Sequence, residues 1–162
     1  MLNSEQNRVT IISILSQYQK DMNMKKSNLP QCPVARGLQS VGDAWSILIL
    51  RDVYEGRTKF DQLRKNLGIA PTMLTKRLKA LTEDGLLEKR LYSERPPREE
   101  YVLTDAGKDF LPILMMIGAW AHRHREGNLA RFFDVESGAE VKPIAIDEVT
   151  GARLGTRAIR LG

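Results

Sequence analysis

The sequence predicts a mixed α+β fold, mainly α: a winged helix-turn-helix with a long C-terminal dimerisation helix, an N-terminal helix and small β-hairpins in the tail. Three observations carry this. Between Thr58 and Leu103 a short helical stretch, a tight turn, a second helical stretch and a two-stranded ribbon pattern with a basic, proline-rich tip follow one another in the order of that motif. Positive charge is concentrated there: Arg57 to Arg98 holds eleven Lys or Arg against five Asp or Glu, a net of +6 beside +5 for the whole chain. Finally, the stretch from Thr104 to Glu126 is apolar on two faces, so it must be buried on both sides.

With 162 residues and 42% hydrophobic content the chain is expected to form one compact domain with arms. The expected division is an N-terminal helical extension at 1–26, the winged helix-turn-helix domain at 27–127 and a β-hairpin tail at 128–162. The longest apolar run, Leu111 to Ala121, falls short of the roughly 18 residues that span a bilayer, and the first residues lack a secretory pattern. No membrane contact and a cytoplasmic location are therefore expected. One cysteine excludes an internal disulfide framework.

Ile11, Leu15, Tyr18 and Met22 fall at helical spacing within Leu2 to Met22, and Lys25 to Gln31 reads as a polar linker. Pro33 at a first helical turn then places Cys32 at a helix N-terminus, where the macrodipole and free N–H groups favour a thiolate. The other reading of Cys32 is a small, inert packed residue. The segment WSILILRDVYEG spaces Trp45, Leu48, Ile49 and Val53 as a core helix stopped at Gly56. Arg57 and Lys59 flank Thr58 within reach of phosphate, while Phe60 and Leu63 belong in the core.

The second helix of the motif starts near Pro71, after the turn at Gly68, and stops at Gly85. At about 100° per residue, Leu74, Leu78 and Leu81 share one side; Thr72, Lys76, Lys79 and Glu83 lie nearly opposite, with Thr75 and Arg77 on the flanks. Such a helix suits a DNA major groove about 12 Å wide. Thr72, Thr75 and Lys76 are expected at base edges or adjacent phosphates, and Arg77 and Lys79 at phosphates. The plainer alternative for these cations is a solvated helix face. In the ribbon, LLEKRLY and EYVL are the expected strands and SERPPRE the stiffened loop, offering Arg95 and Arg98 to a flanking groove unless Arg98 pairs with Glu94, Glu99 or Glu100.

In the last long helix Thr104 is the expected cap, Pro112 is expected to kink the helix near Lys108, and Gly127 to end it. Its two stripes are Leu111, Leu114, Met115, Gly118 and Phe110, Ile113, Ile117, Trp120; one faces the body, the other a second copy, with a ligand pocket in a Met-containing seam as an alternative to plain core. His122 and His124, two apart, point to different faces and lack a supporting cluster, so no metal is expected. Beyond Ala130, Ser-Gly and Thr-Gly dipeptides split short apolar runs into small hairpins, expected to embrace a partner subunit.

The residues from Cys32 to Trp120 carry a resemblance. Cys32-Pro33 opening a helix, Gly42 and Trp45 before ILIL, Phe60 with Leu63, the run Leu74 to Leu81, and PPR before Tyr101 together resemble the HxlR family of bacterial winged-helix transcriptional regulators, relatives of the MarR group. The resemblance implies a homodimeric DNA-binding repressor or activator answering to an electrophile, oxidant or small molecule. It also implies a redox role for Cys32, since the corresponding cysteine is a switch in some members. Many members carry Lys just before the tryptophan, where this chain has Ala44, a departure that bears on one phosphate contact the resemblance would imply and not on the fold.

Three function classes follow. A dimeric regulator would read an inverted-repeat operator in double-stranded DNA with paired helices about 34 Å apart. Its switch would be Cys32 oxidation or a small-molecule ligand at the dimer interface. A protein-interaction winged helix that never meets DNA would instead carry acidic or apolar residues where Lys76 and Lys79 stand. An enzyme finds no support in the sequence: no phosphate-binding glycine loop, metal cluster, cofactor motif or nucleophile-and-base pair is present.

Overall fold

The structure, a computed structural model, describes residues 32–160. The expected helix within Leu2 to Met22 and the linker at Lys25 to Gln31 lie outside those residues. The elements in order are α1 (Pro33–Val41), α2 (Ala44–Tyr54), α3 (Phe60–Leu67), α4 (Pro71–Glu83), β1 (Leu87–Glu94), β2 (Pro97–Leu103), α5 (Asp105–Asp109), α6 (Leu111–His124), β3 (Phe132–Phe133) and β4 (Glu140–Val141).

The leucine stripe of α4 goes inward as the spacing predicts: Leu74, Leu78 and Leu81 are fully buried with Ile49 and Leu50 of α2, Leu63 of α3 and Leu87 of β1. Each such side chain contributes about 1.5–3 kcal/mol by leaving water. Trp45, Phe60, Phe110 and Leu114 pack around this centre. Helix α2 is the spine, touching α3, α4, β2 and α6.

Two carboxylates fix its neighbours. Asp43 caps the N-terminus of α2, its Oδ1 accepting from the Ser46 backbone N–H at 3.1 Å and its Oδ2 from the Ser46 hydroxyl at 2.6 Å. Near the other end Asp52 is wholly buried. Its Oδ1 accepts from Arg51 Nε at 2.9 Å and Nη2 at 2.6 Å, and its Oδ2 from Asn66 Nδ2 of α3 at 2.6 Å. Its backbone oxygen also receives the Arg57 N–H at 2.9 Å. Between α3 and α4, Gly68 adopts φ +62°, a conformation that costs a side chain dearly and lets the chain turn within three residues.

The wing is more regular than the sequence suggests. SERPPRE is not a loop: β1 and β2 run through it, pairing Ser93 with Arg98 and Glu94 with Pro97, and leave only Arg95-Pro96, joined by a cis peptide, as the turn. In a two-stranded ribbon every strand is an edge, so Pro97 can sit where no partner needs its missing N–H. The register shifts between Leu91 and Ser93, a bulge at Tyr92.

The single helix expected from Thr104 to Glu126 is two. Thr104 caps α5, accepting from the Gly107 N–H at 3.1 Å, but the helix stops at Asp109 and α6 restarts with Pro112 in its first turn. Pro112 has no N–H and its ring opposes the carbonyl four residues back, so the chain resets at Phe110 instead of kinking. Nor does Gly127 end the helix: His124 is its last residue and Arg125 is already extended.

The tail contains the two expected hairpin turns, and they repeat one design. Asp134 Oδ1 accepts from the Ser137 N–H at 2.7 Å while the Asp134 N–H donates to Ala139; Asp147 Oδ1 accepts from Thr150 N–H at 3.1 Å while the Asp147 N–H donates to Ala152. The tail docks on α6 through Phe132, whose ring lies so close over Gly118 that a Cβ there would meet it at 2.6 Å. His122 Nε2 also lies 2.8 Å from the Ala130 carbonyl oxygen.

Asn66→Ala leaves a buried carboxylate one donor short. It is expected to lower stability by about 2 kcal/mol with an unchanged denaturant slope, read from urea unfolding; a loss within experimental error would mean that Asp52 does not depend on α3.

Candidate nucleic-acid interface

Helix α4 shows solvent the face its sequence pattern assigns. Thr72, Thr75, Lys76 and Lys79 are all exposed, and Met73 joins them in the first turn. No carboxylate pairs with Lys76 among the described residues. Lys79 is loosely paired with Glu83 one turn on, 3.7 Å apart, with 73% of its side chain in solvent; such a pair contributes little and yields readily to a phosphate. The Thr75 hydroxyl donates to the Pro71 carbonyl at 3.0 Å, so toward a ligand it is an acceptor and a methyl group.

Arg77 behaves differently. Its Nε is buried and lies 3.2 Å from Asp43 Oδ1, off the hydrogen-bond axis, so charge alone attracts it to the cap of α2. Arg77, expected at phosphate, lies against the cap of α2 in this structure, with 29% of its side chain exposed.

Lys59 caps α3, its N–H donating to Gln62 Oε1 at 3.1 Å, and its ammonium stands 4.4 Å from the centre of the Tyr92 ring. Thr58 joins the ribbon: its carbonyl receives the Tyr101 N–H at 2.8 Å and its hydroxyl donates to Glu100 at 2.6 Å. Arg90 adds two hydrogen bonds to Glu100, at 2.8 and 3.0 Å, and Lys89 meets Glu99 at 2.7 Å. Two of the three glutamates offered as alternative partners for Arg98, Glu99 and Glu100, are therefore occupied, and Arg98 does not pair with Glu94. Among the described residues neither Arg95 nor Arg98 has an ion pair, and both stand exposed at the tip.

The chemistry on this surface is thus hydroxyls, one methionine and an open ammonium on α4, with two unpaired guanidinium groups on the wing. Cys32 is half-buried just before α1, its carbonyl accepting the Arg36 N–H at 3.1 Å; this is the predicted place at a helix start. His122 binds the tail backbone and His124 lies beside Trp120, ring centres 5.5 Å apart.

Sequence reasoning missed Asp43 and Met73. The Asp43 to Ser46 spacing, a carboxylate three residues ahead of a helical N–H, is a capping signal. Met73 lies off the leucine stripe by the same angular argument that placed Lys76, and a thioether chain there suits a thymine methyl.

A helix, a glycine turn, a second helix with its polar face outward and a paired ribbon define a winged helix-turn-helix domain, the architecture of DNA-reading regulators. The HxlR-like helix-turn-helix family model matches residues 40–128, and the chain belongs to that family. It is 41% identical over 91 residues to the uncharacterized HTH-type transcriptional regulator Mb3122 of Mycobacterium bovis, covering 56% of this chain and 58% of that one. The chain therefore spans under two thirds of that relative's length. Among solved structures it is similar to PA1607, a candidate transcription factor, at 32% identity and a TM-score of 0.74, over 85% of this chain and 99% of that one. The oxidized form of the redox regulator HypR matches at 30% identity and a TM-score of 0.54, over 59% of this chain and all of HypR's. The chain thus carries an HxlR-like helix-turn-helix, and the relatives it matches are named as transcriptional regulators of that type. No helix among the described residues is long and apolar enough to cross a membrane.

The Thr58 hydroxyl, and after it Arg90, holds the Glu100 carboxyl below the ordinary glutamate value of 4.5. A carboxyl depressed in the folded state stabilises fully above its unfolded value and loses that contribution as pH falls through its folded value. Between about pH 6 and about pH 3, Glu100→Gln is therefore expected to lose less of its urea midpoint than the parent. Equal losses would show that the wing carboxylate is not held.

Proposed function

We propose that this protein is a homodimeric, sequence-specific regulator, a bacterial cytoplasmic repressor that binds an inverted-repeat operator in double-stranded DNA. The observation that carries the reading is the division of α4: one side fully buried leucine, the other exposed threonine and lysine, beside a wing whose tip arginines are unpaired. Thr72, Thr75 and Lys76 would meet base edges, Lys79 and Lys59 phosphates, and Arg95 and Arg98 the adjoining groove. Arg77 takes the part of a residue that positions this helix.

The homodimer rests on α6. Ile113, Ile117 and Trp120 form a stripe there, 50%, 45% and 45% exposed, while Leu114 packs inward. A second copy laid on that stripe removes it from water and pairs two recognition helices. The acidic or apolar α4 face that a protein-interaction module would need is absent from this surface.

Redox switching through Cys32 is supported by its place at a helix start and by the similarity to HypR, a redox regulator. With one cysteine in the chain, oxidation would yield an intersubunit disulfide, a mixed disulfide with a small thiol, or a sulfenic acid.

Mobility shift with DNA from upstream of the gene, at two salt concentrations, tests the regulator. Lys79→Ala is expected to weaken binding to all sequences alike and reduce the salt slope by about 1. Loss of sequence preference at unchanged slope would move Lys79 to the bases, and no specific binding by the parent would overturn the reading. In the same assay diamide is expected to release DNA from the parent and not from Cys32→Ser. A response that survives in Cys32→Ser would remove the cysteine from the switch.

A further inference from the structure

Where the tail folds back over the C-terminal end of α6 it encloses a cleft of about 410 Å³ that the DNA-reading surface does not use. Its apolar lining comes from Phe132, Val141 and Ile144 of the tail, and it is bordered by Arg123 of α6 and by Arg131, Lys142 and Arg153 of the tail. One carboxylate is present, Glu140, and Arg131 is bound to it at 3.1 Å. Among the described residues Arg123, Lys142 and Arg153 have no ion-pair partner, so three cations surround an apolar floor with no protein anion to balance them.

Like charges gathered around a concave apolar surface repel one another, and an anion entering there is drawn by all three while its hydrocarbon covers the floor. We infer that this cleft binds a small amphipathic organic anion, a one- or two-ring aromatic carboxylate or one of similar size. The volume lies within the range of small-ligand sites and is far too small for a polymer. A free inorganic anion would leave the apolar floor uncovered, and a neutral ring would leave the cations unpaired.

Such a ligand would touch both sides of the joint that Phe132 makes on Gly118 and that His122 makes with Ala130. It would strengthen the hold of the tail on the helix whose other face bears Ile113, Ile117 and Trp120. As an effector site this rests on the regulator reading; as a binding site it stands on the cleft alone.

The test uses the full chain and naphthalene-2-carboxylate as probe, followed by amide chemical-shift mapping, with naphthalene-2-methanol as the neutral comparator. Saturable binding is expected, with shifts confined to the end of α6 and the tail and the neutral comparator at least tenfold weaker. Arg123→Ser with Arg153→Ser is expected to weaken the carboxylate at least tenfold, leaving the amide spectrum of α2 to α4 unchanged and DNA affinity in the absence of probe unaltered. The inference is overturned by absence of saturable binding, by equal binding of the neutral ring, or by shifts centred on Ile113 to Trp120. Loss of DNA affinity in the double variant with naphthoate binding intact would also overturn it, assigning these arginines to DNA. Because probe binding is read without DNA, failure of the regulator reading would leave this result legible.

Discussion

A buried carboxylate governs how the parts of this domain meet. Taking Asp52 out of water is costly unless its oxygens are bonded on all sides, and the bonds come from three places: its helix neighbour Arg51, Asn66 of the next helix, and the Arg57 N–H on its own carbonyl. The angle between α2 and α3 is thereby specified by directional bonds, where packed leucines alone would tolerate sliding. At the far end of α2, Asp43 holds Arg77 of α4 while capping its own helix. The helix-turn-helix is thus pinned to one spine at two charged points, and the fully buried leucines fill the space between them.

This explains a redistribution of charge that composition conceals. The net of +6 between Arg57 and Arg98 suggests a uniformly basic surface. In the fold, Arg77, Lys89 and Arg90 are engaged by Asp43, Glu99 and Glu100, shaping the helix seat and stiffening the ribbon. What remains without a carboxylate partner among the described residues is a smaller set, Lys59, Lys65, Lys76 and the two wing-tip arginines, with Lys79 only weakly held. Separating structural from available cations needs the partner list, since each type reads alike in the sequence.

Local signals were the legible ones. Period-3.6 leucines, Gly68 and Pro71 around the turn, Thr104 as cap and the Ser-Gly and Thr-Gly dipeptides all act within a few residues, and each appears where its chemistry requires. Of the site residues, the exposure of Thr72, Lys76 and Lys79 followed from angle alone. Illegible were outcomes decided by partners distant in sequence: which aspartate is buried, which glutamates occupy Lys89 and Arg90, and that Phe132 would find Gly118. Pro112 was visible, but whether a helix bends or restarts there depends on Phe110 and Leu114 packing onto the core, which holds the break in place.

The two tail turns satisfy their polar groups from within, each aspartate serving N–H groups two or three residues ahead. Structure of such low contact order needs little loop closure to form. Among the described residues it is tied to α6 at the Phe132–Gly118 contact and at the His122–Ala130 contact. In hydrogen exchange the tail would therefore form a separate, fast-opening cooperative unit on a slower-opening helical body. The helix-turn-helix body thus carries beside it an element whose stability can change without disturbing α4.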